Sequence, residues 1–488
     1  MNIKRALITV YYKENLENFA KFLSENGVEI ISTGGTANYL ESKGINVVRI
    51  SEYTGFPEIL DGRVKSLHPK LFGGILSKSD KSTHEDQMGE LNIPKIDMVI
   101  VNFQPFEEIS QKTTLERELI EYVDIGGVAL LRAAAKNYKD VVPVVDPEDY
   151  ESIIESIEDC GDVPLHTRRK LSLKAFYNTS KYDSNVHKIF SELFASEKYE
   201  HEFFEILGTL RYGSNPLQDG TLMKFAEKDS ILDHLYNLTP HKSPTLRIVK
   251  DLKILFNIVS KSDKEIIAFA KKGVIIVAAY EPNEEDLGFF KKHIEEFKGG
   301  IIYTENENFI MELAKCKMDA ILTTKNLDKD TLFKFKCMVF KMEKFVVNLK
   351  NEYIVDEDVV IKQEYKSLEL NESEVEKIGF EVAKKHKSDT IVYCKDNFIF
   401  SGVQNSLNRK VAIKILESIV EDFEIKIEGG TLIFDSPINS DFVVDKIRAF
   451  KIEKIIIPSS LPKDEIYLDT LRKEGIKVVV TTKRYHKY

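Results

Sequence analysis

Ser32-Thr33-Gly34-Gly35-Thr36 follows a short apolar run and precedes a helical pattern. There the two glycines let the backbone curl and aim several N–H groups one way. The helix N-terminus adds partial positive charge and three hydroxyls can donate, which together make a cradle for a phosphate. The same residues also suit a plain strand-to-helix turn with Thr36 as the helix cap. A second concentration of chemistry is the polar stretch Gly55–Lys70, where Arg63, Lys65, His68 and Lys70 supply four potentially cationic groups within eight residues. Such a loop can clamp a phosphate or hold an anionic intermediate, although loop bases are also commonly just solvated. Asp124-Ile125-Gly126-Gly127 opens a helix that carries Lys136. Its glycines permit close backbone approach to a ligand, and a carboxylate at a helix start is favoured whether or not it is catalytic. Asn102-Phe103-Gln104-Pro105-Phe106 leaves an apolar strand at the edge where parallel sheets bind ligands. Taken together the motifs call for a phosphorylated small molecule.

The elements that must position them alternate. Apolar runs at Arg5–Val10, Val28–Ile31, Ile45–Ile50, Asp97–Phe103 and Val141–Val145 predict strands. Helical spacing over Glu14–Asn26, Ala37–Lys43, Val128–Asn137 and His166–Ser196 predicts the helices between or after them. That rhythm means a parallel sheet with right-handed crossovers. Twelve of the 24 glycines fall in the first 200 residues, so glycine-built loops concentrate where the motifs lie.

The chain has 488 residues, which suggests about three domains. With 69 basic and 79 acidic side chains its net charge is −10, a poor basis for bulk nucleic-acid binding. The four cysteines form no C-x-x-C pair, which argues for a reducing compartment and against a zinc site. No apolar run approaches the ~18 residues of a membrane span, and the N-terminal run is too short for a signal peptide. A soluble, cytoplasmic, multidomain protein is expected. A Glu-rich stretch at Glu197–Glu205 reads as a linker, with a first boundary near residue 199 and a second near 365. Beyond the linker, Val274–Ala279, Gly300–Tyr303, Ala320–Thr323, Thr390–Tyr393, Leu432–Phe434, Lys454–Ile457 and Lys477–Val480 are strand candidates of two successive α/β units.

STGGTA, TGFPEILDGRVKSLHPKLFGGIL, DIGGVALLRAAAKN and VVDPEDY stand in an order and at intervals that resemble the cyclohydrolase signatures of a known family. It is the bifunctional purine-biosynthesis family PurH, aminoimidazole-carboxamide ribonucleotide (AICAR) transformylase/IMP cyclohydrolase. The resemblance implies a methylglyoxal-synthase-like domain over residues 1–198. It implies two cytidine-deaminase-like units over 199–365 and 366–488, and a homodimer. It places the catalytic groups at Lys65, Asp124 and Lys136, with Gln104 where the family has tyrosine. It places substrate contacts at Ser32, Thr33, Gly34, Gly35, Thr36, Arg63, Ser66, Asn102, Gly126 and Gly127. The implied substrate is a purine ribonucleotide, with no cofactor or metal for ring closure.

The second half follows the family less closely. LRYGSNP resembles the family's L-R-Y-G-E-N-P nucleotide contact, which points to Arg211 and Tyr212. The family's catalytic Lys-His pair falls on Ala278-Ala279, and alanine cannot shuttle a proton. QNSLNR, LIFDSPI and RYHKY depart from further family signatures, as does Asp389 in SDTIVY. The expectation is a cyclohydrolase with a transformylase-like half that no longer transfers formyl. The alternatives are a bifunctional enzyme using formyl-tetrahydrofolate and relocated groups such as Lys253, Lys271 or Lys272, and a non-catalytic nucleotide-binding protein.

Overall fold

The computed structural model describes residues 2–481, apart from 197, 227, 347–350, 357–358, 365–369, 387–388, 402–407, 439 and 459–464. The second expected boundary, most of QNSLNR and all of RYHKY lie outside the described residues. The chain divides into two compact units, Met1–Phe203 and Phe204–Tyr488. Among the described residues no helix is long and apolar enough to cross a membrane.

The first unit is a five-stranded parallel sheet in the order β3-β2-β1-β4-β5. Its strands are β1 (Arg5–Thr9), β2 (Glu29–Ser32), β3 (Val48–Arg49), β4 (Met98–Val101) and β5 (Val142–Val144). β4 reads MVIV and every residue of it is buried, as a strand covered on both faces requires. On one face the Leu16–Glu25 helix lays down Leu16, Phe19, Ala20 and Leu23. On the other the Gly126–Lys136 helix lays down Leu130, Leu131, Ala133 and Ala134. The small alanines let that helix approach the sheet closely. Ile45–Ile50 forms less strand than expected. Only Val48 and Arg49 pair, and Ile50 starts a one-turn helix to Thr54 that buries Ile50 and Tyr53.

The second unit carries a hairpin of β6 (Phe204–Leu210) and β7 (Gly220–Phe225), then β8 (Leu235–Asn237), β9 (Ile266–Lys271), β10 (Val274–Tyr280), β11 (Ile301–Tyr303), β12 (Ala320–Thr323) and β13 (Met338–Met342). A second hairpin, β14 (Asn351–Asp356) and β15 (Val359–Glu364), precedes β16 (Ile391–Lys395), β17 (Phe398–Phe400), β18 (Thr431–Phe434), β19 (Lys454–Ile457) and β20 (Lys477–Val480). Eleven of these strands form one mixed sheet in the order β20-β19-β18-β16-β17-β10-β9-β11-β12-β13-β8. The order contains one pattern twice. A hairpin, β9–β10 or β16–β17, is extended by three parallel strands, and the copies meet where β10 pairs antiparallel with β17. The same backbone device precedes the first parallel strand of each copy. Gly299-Gly300 and Gly429-Gly430 all have positive φ. A Cβ on Gly300 would sit 2.6 Å from the Phe269 ring, and one on Gly430 2.5 Å from the Cys394 carbonyl.

Two fully buried carboxylates in this unit lack partners on one oxygen among the described residues, Oδ2 of Asp251 and Oδ2 of Asp435. Asp251 accepts backbone N–H groups from Gly273 and Lys272 at the β9–β10 turn. Burial nevertheless outweighs these bonds and pushes its carboxyl up to about 6. The folded state therefore binds a proton more readily than the unfolded chain between about pH 4 and 6. Stability from this group is fully present below its unfolded pKa and is lost as pH rises through 6. Relative to Asp251→Asn, the wild type should gain on the order of 2–3 kcal/mol between pH 7 and pH 4, read from urea midpoints. A pH-independent difference would contradict the assignment.

Candidate active site

The C-terminal edge of β1, β2 and β4 gathers most of the motifs. At the end of β2, Ser32 is buried and its hydroxyl donates to the Ile8 carbonyl at 2.6 Å. Thr36 is buried as well. Its hydroxyl donates to the Val10 carbonyl at 2.9 Å and accepts the Val10 N–H at 3.1 Å. Both hydroxyl protons thus fasten the turn to β1 rather than face a ligand. Thr33, not Thr36, stands at the N-cap position of the helix Gly34–Ser42 without a side-chain capping bond, and its hydroxyl pairs with that of Thr9 at 3.0 Å. What remains for an anion is backbone. The first N–H bonds inside this turn come from Thr36 and Ala37, both to the Thr33 carbonyl. The Gly34 and Gly35 amides therefore stand at the open, positive end of the helix. Gly34 has φ +34.

The Gly55–Lys70 loop delivers one cation to this point. A Cβ on Gly34 would lie 4.0 Å from Lys65 Nζ, so the ammonium sits over the first residue of the helix. The turn that projects Lys65 is a left-handed run, with positive φ at Leu60, Asp61 and Gly62. Non-glycine residues held in that region cost about 1 kcal/mol or more each. The other three bases go elsewhere. Arg63 forms an ion pair with Glu121, both side chains over half exposed. His68 Nδ1 accepts the Lys70 N–H at 3.1 Å and so caps the Pro69–Leu76 helix. Lys70 lies over the Tyr53 ring, 5.5 Å from its centroid.

Asp124 closes the other side. Its Oδ1 accepts the Gly127 N–H at 2.8 Å, and its carboxylate also receives the backbone N–H of Gln104. Burial raises the carboxyl above its usual range, and these two donors and the positive charge of Lys65 oppose the rise. Gly127 is required here, because a Cβ on it would fall 2.8 Å from Asp124 Oδ2 and 3.1 Å from Val101. Gly126 faces the buried Ser66 hydroxyl, which has no room for a side chain at 126. Lys65, Asp124, the Gln104 amide and the Gly34 end of the helix thus form one cluster.

Two expected groups do not join it. Lys136 is exposed at the last residue of the Gly126–Lys136 helix, whose 11 residues separate its ends by about 15 Å. Within this chain it cannot meet Asp124. Asn102 spends its side chain on the β1 exit. Oδ1 accepts the amides of Tyr11 at 2.6 Å and Tyr12 at 3.0 Å, and Nδ2 donates to the Tyr12 carbonyl at 3.0 Å. Sequence reasoning missed Thr9 and the Tyr11-Tyr12 segment, which line this edge. Their signal was only their place at and just past the end of the β1 run.

In the second unit Arg211 and Tyr212 follow β6 in the turn that leads to β7. The Arg211 N–H donates to the Pro244 carbonyl at 2.9 Å, and the Arg211 side chain is exposed. Ala278 and Ala279 are fully buried at the middle of the eleven-stranded sheet. They pair with Ala268 and Ile267 on β9 and with Ile399 and Phe398 on β17. Lys271 and Lys272 stand at the far end of the β9–β10 hairpin, roughly 17 Å along β10 from Ala279. Burial lowers the Lys271 ammonium from its ordinary range, with Arg247 and Lys272 adding to the effect.

A family model described as an MGS-like domain matches residues 15–129, and one described as AICARFT/IMPCHase bienzyme matches residues 134–281. A protein named "Bifunctional purine biosynthesis protein PurH" from Bacillus subtilis (strain 168) is 33% identical, with 100% of both chains covered. Its namesake from Persephonella marina (strain DSM 14350 / EX-H1) is 31% identical over 99% of this chain and 100% of its own. A solved structure described as "Crystal structure of ForH" is 35% identical over 38% of this chain and 99% of that one, with a TM-score of 0.35.

Proposed function

The chain belongs to the PurH family of bifunctional purine-biosynthesis proteins, and from that premise we propose that its first unit closes the ring of formylated AICAR to IMP with loss of water. The observation that carries the reading is the position of Lys65, which stands over the Gly34 end of a helix and within electrostatic reach of Asp124. The Gly34 and Gly35 amides hold the ribonucleotide phosphate. The carboxamide nitrogen attacks the formyl carbon, a step whose entropic cost is largely prepaid because both groups belong to one molecule. Asp124 takes the proton that the nitrogen sheds. Lys65 stabilises the oxyanion left on the former formyl oxygen and protonates it. Protonated Asp124 then gives the resulting hydroxyl its second proton, neutral Lys65 takes the N–H proton of the former formamide nitrogen, and the oxygen departs as water as the ring becomes aromatic. Gln104 contributes its backbone N–H to Asp124, and its side chain offers an amide donor where the family has a phenol. Turnover slower than the family's is the expected consequence.

For the second unit two readings stand. The alanines at 278 and 279 favour a half that has lost formyl transfer, because nothing at those positions can exchange a proton. The full-length similarity to proteins named bifunctional favours AICAR transformylase activity with formyl-tetrahydrofolate as donor. Its acid/base groups would then lie elsewhere than 278–279. One experiment addresses both units. Purified protein is given the formylated ribonucleotide and IMP is followed. No IMP above the uncatalysed rate would sink the cyclohydrolase. The same protein is then given AICAR and formyl-tetrahydrofolate. Folate-dependent turnover there establishes the bifunctional reading, and its absence supports the degenerate one. A homodimer is the assembly that goes with either reading.

A further inference from the structure

We propose that Tyr182, on the helix Leu165–Leu193, is the positioning residue that holds Asp124 in its working geometry. The inference rests on the cyclohydrolase reading and deepens it. Tyr182 is 8% exposed and fixed on its ring by the hydrophobic cluster of Phe106, Leu119 and Val128, with the Phe103 ring 5.1 Å away. Its hydroxyl accepts the Asp124 backbone N–H at 2.7 Å and donates to the Tyr122 carbonyl at 3.4 Å. One phenol oxygen therefore ties down the backbone on both sides of Val123.

Asp124 needs that tie. It precedes the helix Gly126–Lys136, so its own N–H has no helical acceptor in front of it. Its carboxylate is held by the Gly127 and Gln104 amides, and Tyr182 supplies the third point, on the backbone itself. Phe103 links the two loops, because its ring packs on Tyr182 while its neighbour Gln104 donates to Asp124. A side chain 58 residues away thus sets where the carboxylate stands relative to Lys65. The phenol does not touch substrate in this account, and it acts only through Asp124.

The test is Tyr182→Phe, which keeps the ring and its packing and removes only the oxygen. The expected result is a loss of about 10- to 100-fold in kcat for IMP formation, with KM within about twofold, because the phosphate site at Gly34 is untouched. A double-mutant cycle supplies the readout that a merely structural role would not give. In an Asp124→Asn background, Tyr182→Phe should cost little further, since the group it positions is already gone. Circular dichroism and melting temperature establish that the variant is folded. If Tyr182→Phe lowers the rate equally in both backgrounds, or leaves wild-type kcat unchanged while Asp124→Asn is impaired, the inference fails and the cyclohydrolase stands. If the wild type makes no IMP, both are overturned. Should Tyr182→Phe not fold, Phe103→Leu, which loosens the same packing and leaves the phenol, must reproduce the selective loss in kcat. Unchanged kcat in that variant overturns the proposal.

Discussion

Replacing Lys65 with methionine is expected to lower kcat for IMP formation by about 10²- to 10³-fold, the usual loss when one oxyanion donor is removed. Methionine keeps most of the length and apolar stem of lysine, so the loop should survive while the charge goes. KM should also rise, because Lys65 Nζ stands over Gly34 where the phosphate site opens. A third consequence concerns Asp124. The Lys65 charge counters part of the upward push that burial gives its carboxyl. Without that charge the carboxyl should titrate higher, and the acidic limb of the kcat profile should move to higher pH. Arg63→Ala is the matched control. Arg63 pairs with Glu121 at the surface, and such exposed pairs contribute little. Its loss should change kcat by less than about threefold. Equal damage from both substitutions would mean that the loop acts as a general positive field and that Lys65 has no special place in it.

Putting a lysine back at position 278 is expected to cost several kcal/mol of stability and to yield no formyl transfer. Ala278 is fully buried between Ala268 on β9 and Ile399 on β17. Its side chain belongs to the core face that contains Leu255, Ile258 and Ile378. The three methylene carbons added there overpack the core by about 1–3 kcal/mol. The ammonium adds the larger cost of a buried, unpaired charge, or else it gives up its proton. Urea unfolding followed by circular dichroism should show the midpoint fall sharply. A folded Ala278→Lys/Ala279→His variant that transfers formyl to AICAR would show instead that the site is intact apart from two side chains.

The parallel sheet of the first unit was legible because its strands are continuous apolar runs and its helices keep their spacing. The runs at Ala320–Thr323, Lys454–Ile457 and Lys477–Val480 coincide with strands in the second unit for the same reason. β9 and β13 were not foreseen, although IIAFAK and MVFKM are nearly as apolar, because a lysine interrupts or ends each run. Two successive α/β units were expected from the strand spacing, but their union in one sheet was not, because it lives in pairing order, which only the two Gly-Gly pairs echo in sequence. At the site, residue types were legible and their obligations were not. Ser32, Thr36 and Asn102 read as ligand donors, yet each is consumed by backbone groups of the β1 segment. The resemblance grouped Lys136 with Asp124, but a helix turns their twelve-residue spacing into a long separation. Tyr182 carried no local signal at all, since its partner is 58 positions away.

The junction of β10 with β17 also decides how this chain can be divided. A fragment ending near residue 365 would expose the free edge of VIIVAAY, seven residues without a charge or a proline, and the complementary fragment would expose FIF. Such edges template association with other chains. Separate expression of the two copies should therefore give insoluble protein, whereas severing the backbone after residue 203 opens no strand pairing. Each copy thus shields the other's hydrogen-bonding edge through the β10–β17 pairing.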